Sequence, residues 1–338
     1  MPGLQEPNQV GKRQDLSDYI TNIERSETPL FTMLPKDTVH NTKFETQVDD
    51  YGDTDDINGV GSGEDVTSFD NMAENRGIIE NYVMKMREVP MVDDLAENVS
   101  ENPAISKGEY AEAVRKATIR IKFRVEKRIL SQVEGTAQSG ATKYGTCSIG
   151  GFLKSGAPTG AQIVPERFRP AAAQVYTGTL AALEESDVNN IAQEVFEATN
   201  GMGKFHAPVG SELKQKISLM SIYQPDKASN TVVRRINQSA GEVLQTTVDI
   251  MVGDFGRVVL VPCTRMRYFD GAGAATTTAQ RRGSGYILDL SKWGLTFKRT
   301  PGHRKLEDQG GGPRGIVDTI FGLRAKSPKA NGAILVSA

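Results

Sequence analysis

The residues of this sequence that could do chemistry are few and widely spaced. The three histidines, His40, His206 and His303, form no Cys/His cluster at the spacing of a zinc site, so structural or surface roles are expected. Cys147 and Cys263 also lie far apart, which favours inert thiols in a reducing compartment over a disulfide framework. These residue types therefore give no case for a metal site or a nucleophile.

An acidic, glycine-rich stretch contains two partial motifs. Asp53, Asp55 and Glu64 occupy the first, third and twelfth positions of a calcium-binding loop. However, Ile57 stands at the fifth position and Asn58 replaces the glycine that the sixth position requires. The glycine run that follows lacks the Lys-Ser/Thr pair of a phosphate loop, and no G-x-S-x-G nucleophile elbow occurs. The sequence thus predicts no catalytic residue, no metal and no cofactor, so the chain is expected not to be an enzyme.

Composition is ordinary for a globular protein of two domains with extensions. The chain has 338 residues, a formal net charge of −2 and 38% hydrophobic residues. No apolar run approaches the ~20 residues that span a bilayer, and the first residues carry no apolar region of a secretory signal. Without such a run or signal, we expect no membrane partner. The near-neutral charge separately disfavours a dedicated nucleic-acid-binding module.

The longest helical signal covers residues 106–135. Ser106 and Glu109 form a capping box at its start, and Gly135 stands where a helix is expected to stop. Apolar residues at three- and four-residue spacing, including Ala117 and Ile121, form one stripe, while Phe123 projects from nearly the opposite side. Such a helix must pack against more than one layer, or against a neighbouring subunit.

The same helix is asymmetrically charged. Lys116, Arg120 and Lys127 fall within one narrow sector of its surface. Two interpretations remain open: a solvated face with pairs inside the helix, or diffuse contact with nucleic-acid phosphates, which needs only charge neutralisation. No aromatic residues are interleaved as a base-stacking platform would require.

The segments before this helix predict an arm and a projecting hairpin. Residues 15–24 form a short amphipathic helix, docked either on its own domain or on a neighbouring subunit. Residues 38–48 and 76–92 are extended and β-prone, and they flank a polar, glycine-rich stretch at 49–70. A connection of that length is usually functional.

Helices and strands after the long helix do not alternate regularly, so the predicted fold class is α+β. We expect a hairpin whose strands flank a turn at Gly253–Gly256. The other predicted elements are helices at 186–199 and 210–219 and strands at 204–208, 286–290, 293–298 and 315–325.

Several strings, read in order, carry a resemblance over nearly the whole chain. They are KRQDLSD at 12–18, NIERSETPL at 22–30, GDFG at 253–256 with 258–262 after it, WGL at 293–295 and KANGAI at 329–334. In this order they resemble a tailed-bacteriophage major capsid protein of the Hong Kong 97-type fold.

The resemblance implies a layout of an N-arm, an extended E-loop, a P-domain with a long spine helix, and an A-domain. The implied ranges are 1–36 for the N-arm, 37–92 for the E-loop hairpin, 93–145 for the P-domain with its spine helix at 106–135, 146–297 for the A-domain, and 298–338 for strands returning to the P-domain.

The resemblance also implies a function. The chain would be a major capsid protein that self-assembles as hexamers and pentamers into an icosahedral or prolate head around double-stranded DNA. It would be assembled in the host cytoplasm and located in the virion, with portal, scaffolding or decoration proteins as further partners. Lys116, Arg120 and Lys127 would then be candidates for facing the DNA inside. The alternatives are an encapsulin-like compartment of the same fold, or an enzyme without a recognisable motif. No motif identifies a Lys–Asn cross-linking pair, and none is predicted.

Overall fold

The computed structural model describes residues 26–52, 59, 61–63, 65–66, 71, 75–99, 108–225, 232–234, 249–266 and 282–336. Its helices are α1 (Pro29–Met33), α2 (Asp94–Val99), α3 (Glu109–Ile129), α4 (Ile149–Phe152), α5 (Glu185–Thr199) and α6 (Ser211–Ile222). The predicted helix at 15–24 lies outside the described residues. So do Ser106 and all three residues of the calcium-loop pattern.

The described strands form four sheets. In chain order they are β1 (Lys36–Thr38), β2 (Lys43–Val48), β3 (Gly77–Tyr82), β4 (Met84–Glu88), β5 (Val175–Tyr176), β6 (Gly203–Val209), β7 (Tyr223–Pro225), β8 (Val232–Arg234), β9 (Ile250–Gly253), β10 (Gly256–Pro262), β11 (Gly285–Ile287), β12 (Trp293–Lys305), β13 (Gly315–Ala325) and β14 (Gly332–Ile334). One sheet has the order β1-β12-β13-β4 and another the order β5-β14-β11-β6-β10-β9, while β2-β3 and β7-β8 form two-stranded sheets. The mixture confirms the α+β class.

The long helix α3 is shorter at its C-terminal end than the sequence predicted. It ends at Ile129 rather than at 135, because the backbone beyond it bonds to a different segment. Ser148 donates its backbone N–H to the Val133 carbonyl, and the Arg128 side chain donates to the carbonyls of Glu134 and Thr146. These tertiary hydrogen bonds replace the ones that another helical turn would make.

Packing on two sides of α3 is confirmed. Ala117 and Ile121 lie against Val317 of β13, so one side of the helix covers the four-stranded sheet. On the other side, the guanidinium of Arg265 lies 3.6 Å from the ring centre of Phe123. The cation shields a large apolar face that the sheet does not cover.

Two extended segments predicted as single strands are each divided in two. Residues 38–48 contain the end of β1, which pairs with β12, and all of β2, which pairs with β3. Residues 76–92 contain β3 and β4, and β4 pairs with β13. Because the two halves pair with different sheets, the chain must change direction between them.

Two large apolar clusters form the core. One joins α1, α3 and α4 to the four-stranded sheet around Trp293, and the other joins α5 and α6 to the six-stranded sheet. The expected boundary between 297 and 298 falls inside the continuous strand β12, and β14 pairs within the six-stranded sheet beside β11. The chain thus passes between the two sheets twice after residue 288.

Candidate functional site

The predicted basic sector of α3 is partly neutralised by carboxylates of the same chain. Lys116 and Arg120 are exposed, whereas Lys127 is half-buried. The Lys116 ammonium lies 3.8 Å from Glu112, and the Arg120 guanidinium lies 3.7 Å from Glu88. Exposed pairs of this kind contribute little to stability, but they lower the positive potential of the helix surface.

A second cationic cluster lies on the opposite face of the four-stranded sheet. Val317 faces α3, so Asp318, the next residue of β13, points away from the helix. Asp318 is only 1% exposed and accepts hydrogen bonds from Arg299 and Arg304, each at 2.9 Å. The ammonium of Lys85 lies 3.9 Å from the same oxygen.

This cluster leaves positive charge at the surface. The side chains of Arg299, Arg304 and Lys85 are about half exposed. Arg87, which is also exposed, stands opposite Asp318 in the strand register. We call these four cations and their one carboxylate the Asp318 patch. Sequence reasoning missed it, because β4 and β12 come to lie on either side of β13 only in the folded chain. Its signal was an aspartate inside the apolar strand β13.

The strands β2 and β3 form a ribbon that carries the acidic segment predicted to project. They pair over their full length, from Lys43 opposite Tyr82 to Val48 opposite Gly77. The ribbon predicted from the β-prone flanks is therefore confirmed. The segment that it carries, 49–75, has nine acidic residues and no Lys or Arg.

The buried Asn81 fastens the ribbon to the rest of the molecule. Its side-chain amide donates to the Leu323 carbonyl at 2.7 Å and to Thr146 Oγ1 at 3.0 Å, and its carbonyl oxygen accepts from the Cys147 amide. The three bonds tie β3 to β13 and to the segment after α3. Buried polar groups that are satisfied in this way fix the orientation of the element that carries them.

The acidic segment leaves the ribbon at Asp49 and Asp50, which we call its neck. This neck lies far from the Asp318 patch of the same chain. Asp50 accepts a hydrogen bond from Arg167, and its pKa is lowered by that bond and by the charge of Lys329 against the opposing effect of burial. Lys329 follows the end of β13 at Ala325. Asp50 lines one cavity with Lys326 and Lys329, and Asp318 lies seven residues, about 23 Å, back along β13 from Ala325.

A buried carboxylate joins α3 to the first described helix. Glu126 is fully buried and lies beside the backbone N–H groups of Leu30 and Phe31 at the start of α1. The Cys263 thiol donates to Glu126 Oε1 at 3.2 Å. Burial raises the pKa of Glu126. The N-terminal segment therefore enters the fold beside the C-terminal third of α3.

The candidate chemical residues do not converge in the described part of the chain. Cys147 and Cys263 are buried, and burial raises the pKa of both thiols, to about 12 for Cys263, so neither is a ready nucleophile. The Tyr110 hydroxyl lies 2.8 Å from His303 Nε2 at the surface. Among the described residues, no group of three acidic, histidine or cysteine side chains could hold a metal ion. No helix among them has the length and apolarity to cross a bilayer.

Among the described residues, the arrangement is thus one of charged faces and a two-stranded ribbon that pairs with Ile163 through Glu80, rather than of converging chemical groups. A family model described as SU10 major capsid protein matches residues 5–337. The chain belongs to the SU10 major capsid protein family. This capsid protein is a structural protein and not an enzyme, which confirms the expectation from the sequence. Membership also favours the phage capsid over the encapsulin-like alternative.

Solved structures similar to this capsid protein have the same fold at low sequence identity. The capsid of the cyanophage P-SCSP1u aligns with a TM-score of 0.59 and 9% identity, covering 96% of this chain and 93% of the other. The capsid of a native GTA particle aligns at 0.60 and 13% identity, with 98% of both chains covered. The structure of Gordonia phage Cozz aligns at 0.58 and 12% identity, with 99% and 98% covered. These matches confirm the Hong Kong 97-type capsid fold. A comparison with curated proteins found no match.

Proposed function

We propose that this capsid protein self-assembles as hexamers and pentamers into a closed icosahedral or prolate head that encloses double-stranded DNA. Assembly takes place in the host cytoplasm, with portal, scaffolding or decoration proteins as further partners. The observation that carries the proposal is that one chain has both an acidic segment at the end of the ribbon and a cationic patch far from the start of that segment.

Charge complementarity supports contact between copies. The segment 49–75 has nine acidic and no basic residues, and the Asp318 patch has four cations for one buried carboxylate. Within one chain the neck of the segment is bound to Arg167, at the other end of β13 from the patch. A closed shell repeats the same interface around each symmetry axis, so the segment of one copy can reach the patch of the next.

The domain layout follows from the same proposal. The ribbon β2–β3 with the segment it carries is the E-loop, and α3 with the four-stranded sheet is the core of the P-domain. The six-stranded sheet with α5 and α6 is the A-domain, grouped around the five- and six-fold axes. In this layout β14 belongs to the A-domain, and β12 is a P-domain strand from its first residue.

Electron microscopy of the purified protein tests the proposal. Closed shells whose capsomers have five and six subunits are expected, because repeated interfaces of one chain close by symmetry. Monomers or open sheets at all protein and salt concentrations would contradict self-assembly by this chain alone. Shells of any other capsomer composition would contradict the proposed arrangement.

A triple variant tests whether α3 faces the DNA. Replacing Lys116, Arg120 and Lys127 with Gln should leave shells intact but reduce the DNA that they retain. The effect should be small, because at most three phosphate contacts are lost. It should depend on salt, because each contact contributes about 0.9 to the slope of log K for DNA binding against log salt concentration. Retained DNA is measured by absorbance and by nuclease-resistant phosphate in purified heads.

The matched control removes three exposed lysines from the β12–β13 region, Lys298, Lys305 and Lys326. It loses the same charge without changing α3, so its heads should retain normal DNA. Equal retention of DNA in the two variants would mean that the basic sector of α3 is an ordinary solvated face.

A further inference from the structure

An apolar groove between α2 and the first half of α3 is open to solvent. Its volume is about 620 Å³. Val92, Leu95 and Ala96 line one side, and the α3 residues Glu109, Glu112, Ala113 and Lys116 line the other. We call this the α2–α3 groove.

Large apolar side chains are exposed in and beside this groove. Leu95 is 73% exposed, Met91 54% and Val89 57%, all within seven residues of sequence. Single exposed apolar residues are common, but three within one short segment that also lines an apolar groove are typical of a docking surface.

The chain itself offers an occupant. Residues 1–25 lie outside the described structure, and the described chain begins at Ser26 beside the buried Thr28. Leu30 and Phe31 pack in one buried cluster with Val125 and Ile129, so this point lies next to the C-terminal third of α3. The preceding segment therefore leaves from the same helix that forms the groove.

The distance from Glu126 to the groove matches the reach of the segment that precedes Thr28. Thirteen residues of helix separate Glu126 from Ala113, which is about 20 Å. An extended linker from Thr28 back to Glu24 spans up to about 13 Å. A helix over 15–24 adds about 1.5 Å per residue, so Ile20 can reach about 19 Å from Glu126 and Leu16 about 25 Å. These two positions bracket the centre of the groove.

The chemistry of the segment matches as well. Leu16, Tyr19, Ile20 and Ile23 lie on one side of the predicted helix, as an apolar groove requires. The basic pair at 12–13 precedes the helix, and the first turn of α3 carries acidic residues at the corresponding end of the groove. We propose that the α2–α3 groove binds the segment 15–24 of the same chain. The arm is then fixed on its own subunit, which goes beyond the proposed shell function.

Engineered cysteines test the proposal in the full-length protein. Ile20→Cys combined with Leu95→Cys should form a disulfide within one chain after mild oxidation, because a disulfide needs Cα atoms within about 7 Å of each other. The native thiols Cys147 and Cys263 are buried and should not interfere. Non-reducing electrophoresis should show a monomer of altered mobility, and mass spectrometry of digests should identify the peptide linking positions 20 and 95.

The control pair is Asn22→Cys with Leu95→Cys, because Asn22 lies on the opposite side of the predicted helix from Ile20. It should cross-link at least tenfold more slowly. Cross-linked dimers from the first pair would assign the groove to a second copy and overturn the proposal. No cross-link, or equal rates in the two pairs, would also overturn it. Circular dichroism of both variants checks that the fold is retained.

Discussion

Replacing residues 50–69 with a short Gly-Ser linker is expected to yield a folded, soluble subunit that no longer forms stable closed shells. The replaced residues lie beyond the ribbon, whose pairing and anchor at Asn81 remain in place. Helix content should therefore stay near that of the unmodified protein. Shells should be lost because the deletion removes most of the acidic charge that we propose to contact the Asp318 patch of the neighbouring copy. Circular dichroism and sedimentation velocity measure the two properties separately.

A variant that keeps the loop length separates charge from chain length. Changing Asp53, Asp55, Asp56, Glu64 and Asp65 to their amides removes five of the nine acidic charges of the segment without shortening it. Its shells should dissociate at lower salt than those of the unmodified protein, since electrostatic contacts at exposed sites are screened within about 10 Å at 0.1 M salt. Loop-deleted protein that closes into shells of normal stability would refute the assignment of this segment to an interface.

The second large effect is expected inside the subunit. Ile121→Asp should abolish the native fold, because Ile121 is fully buried between α3 and β13. A carboxylate there would be buried without a partner, and single substitutions of that kind cost about 4 kcal/mol or more. Chemical denaturation followed by circular dichroism should show either no cooperative transition or a midpoint shifted far toward low denaturant.

Two control variants test whether the loss of stability comes from burying the charge at this position. Ile121→Val removes one methylene group and should cost about 0.5–1.5 kcal/mol with the fold retained. Ala111→Asp introduces the same charge at an exposed position in the first turn of α3, where acid is tolerated. Near-native stability of Ile121→Asp would mean that the helix does not pack on the sheet through this residue.

Local pattern predicted most of the elements. The long helix, the α5 helix, the β9–β10 hairpin and the strand β13 follow from periodicity and turn residues, which act over a few positions. The end of α3 did not follow, because Arg128 and the backbone after it bond to the segment at 145–148. A sequence read locally cannot supply a partner that lies so far along the chain.

The candidate site was predictable only in part. Lys116 and Arg120 were correctly placed on the surface of a helix, but their neighbour Glu88 comes from β4 and was not anticipated. The Asp318 patch depends on three strands, whose contributions lie between residues 85 and 318. The burial of Asn81 and Glu126 likewise reflects packing between distant segments rather than any local motif.

The order of the strands along the chain has a consequence for synthesis on the ribosome. In the four-stranded sheet, β1 pairs with β12 and β4 pairs with β13. Lys36 therefore cannot pair with Leu295, nor Glu88 with Val317, until the later residue has been synthesised. Partners so distant along the chain make folding slow and leave apolar surface uncovered while the chain is incomplete. The Asp318 patch also requires residues from both halves of the sequence. In the proposed assembly, neighbouring chains on one polysome therefore cannot form the contact with this patch before each has been translated past β13.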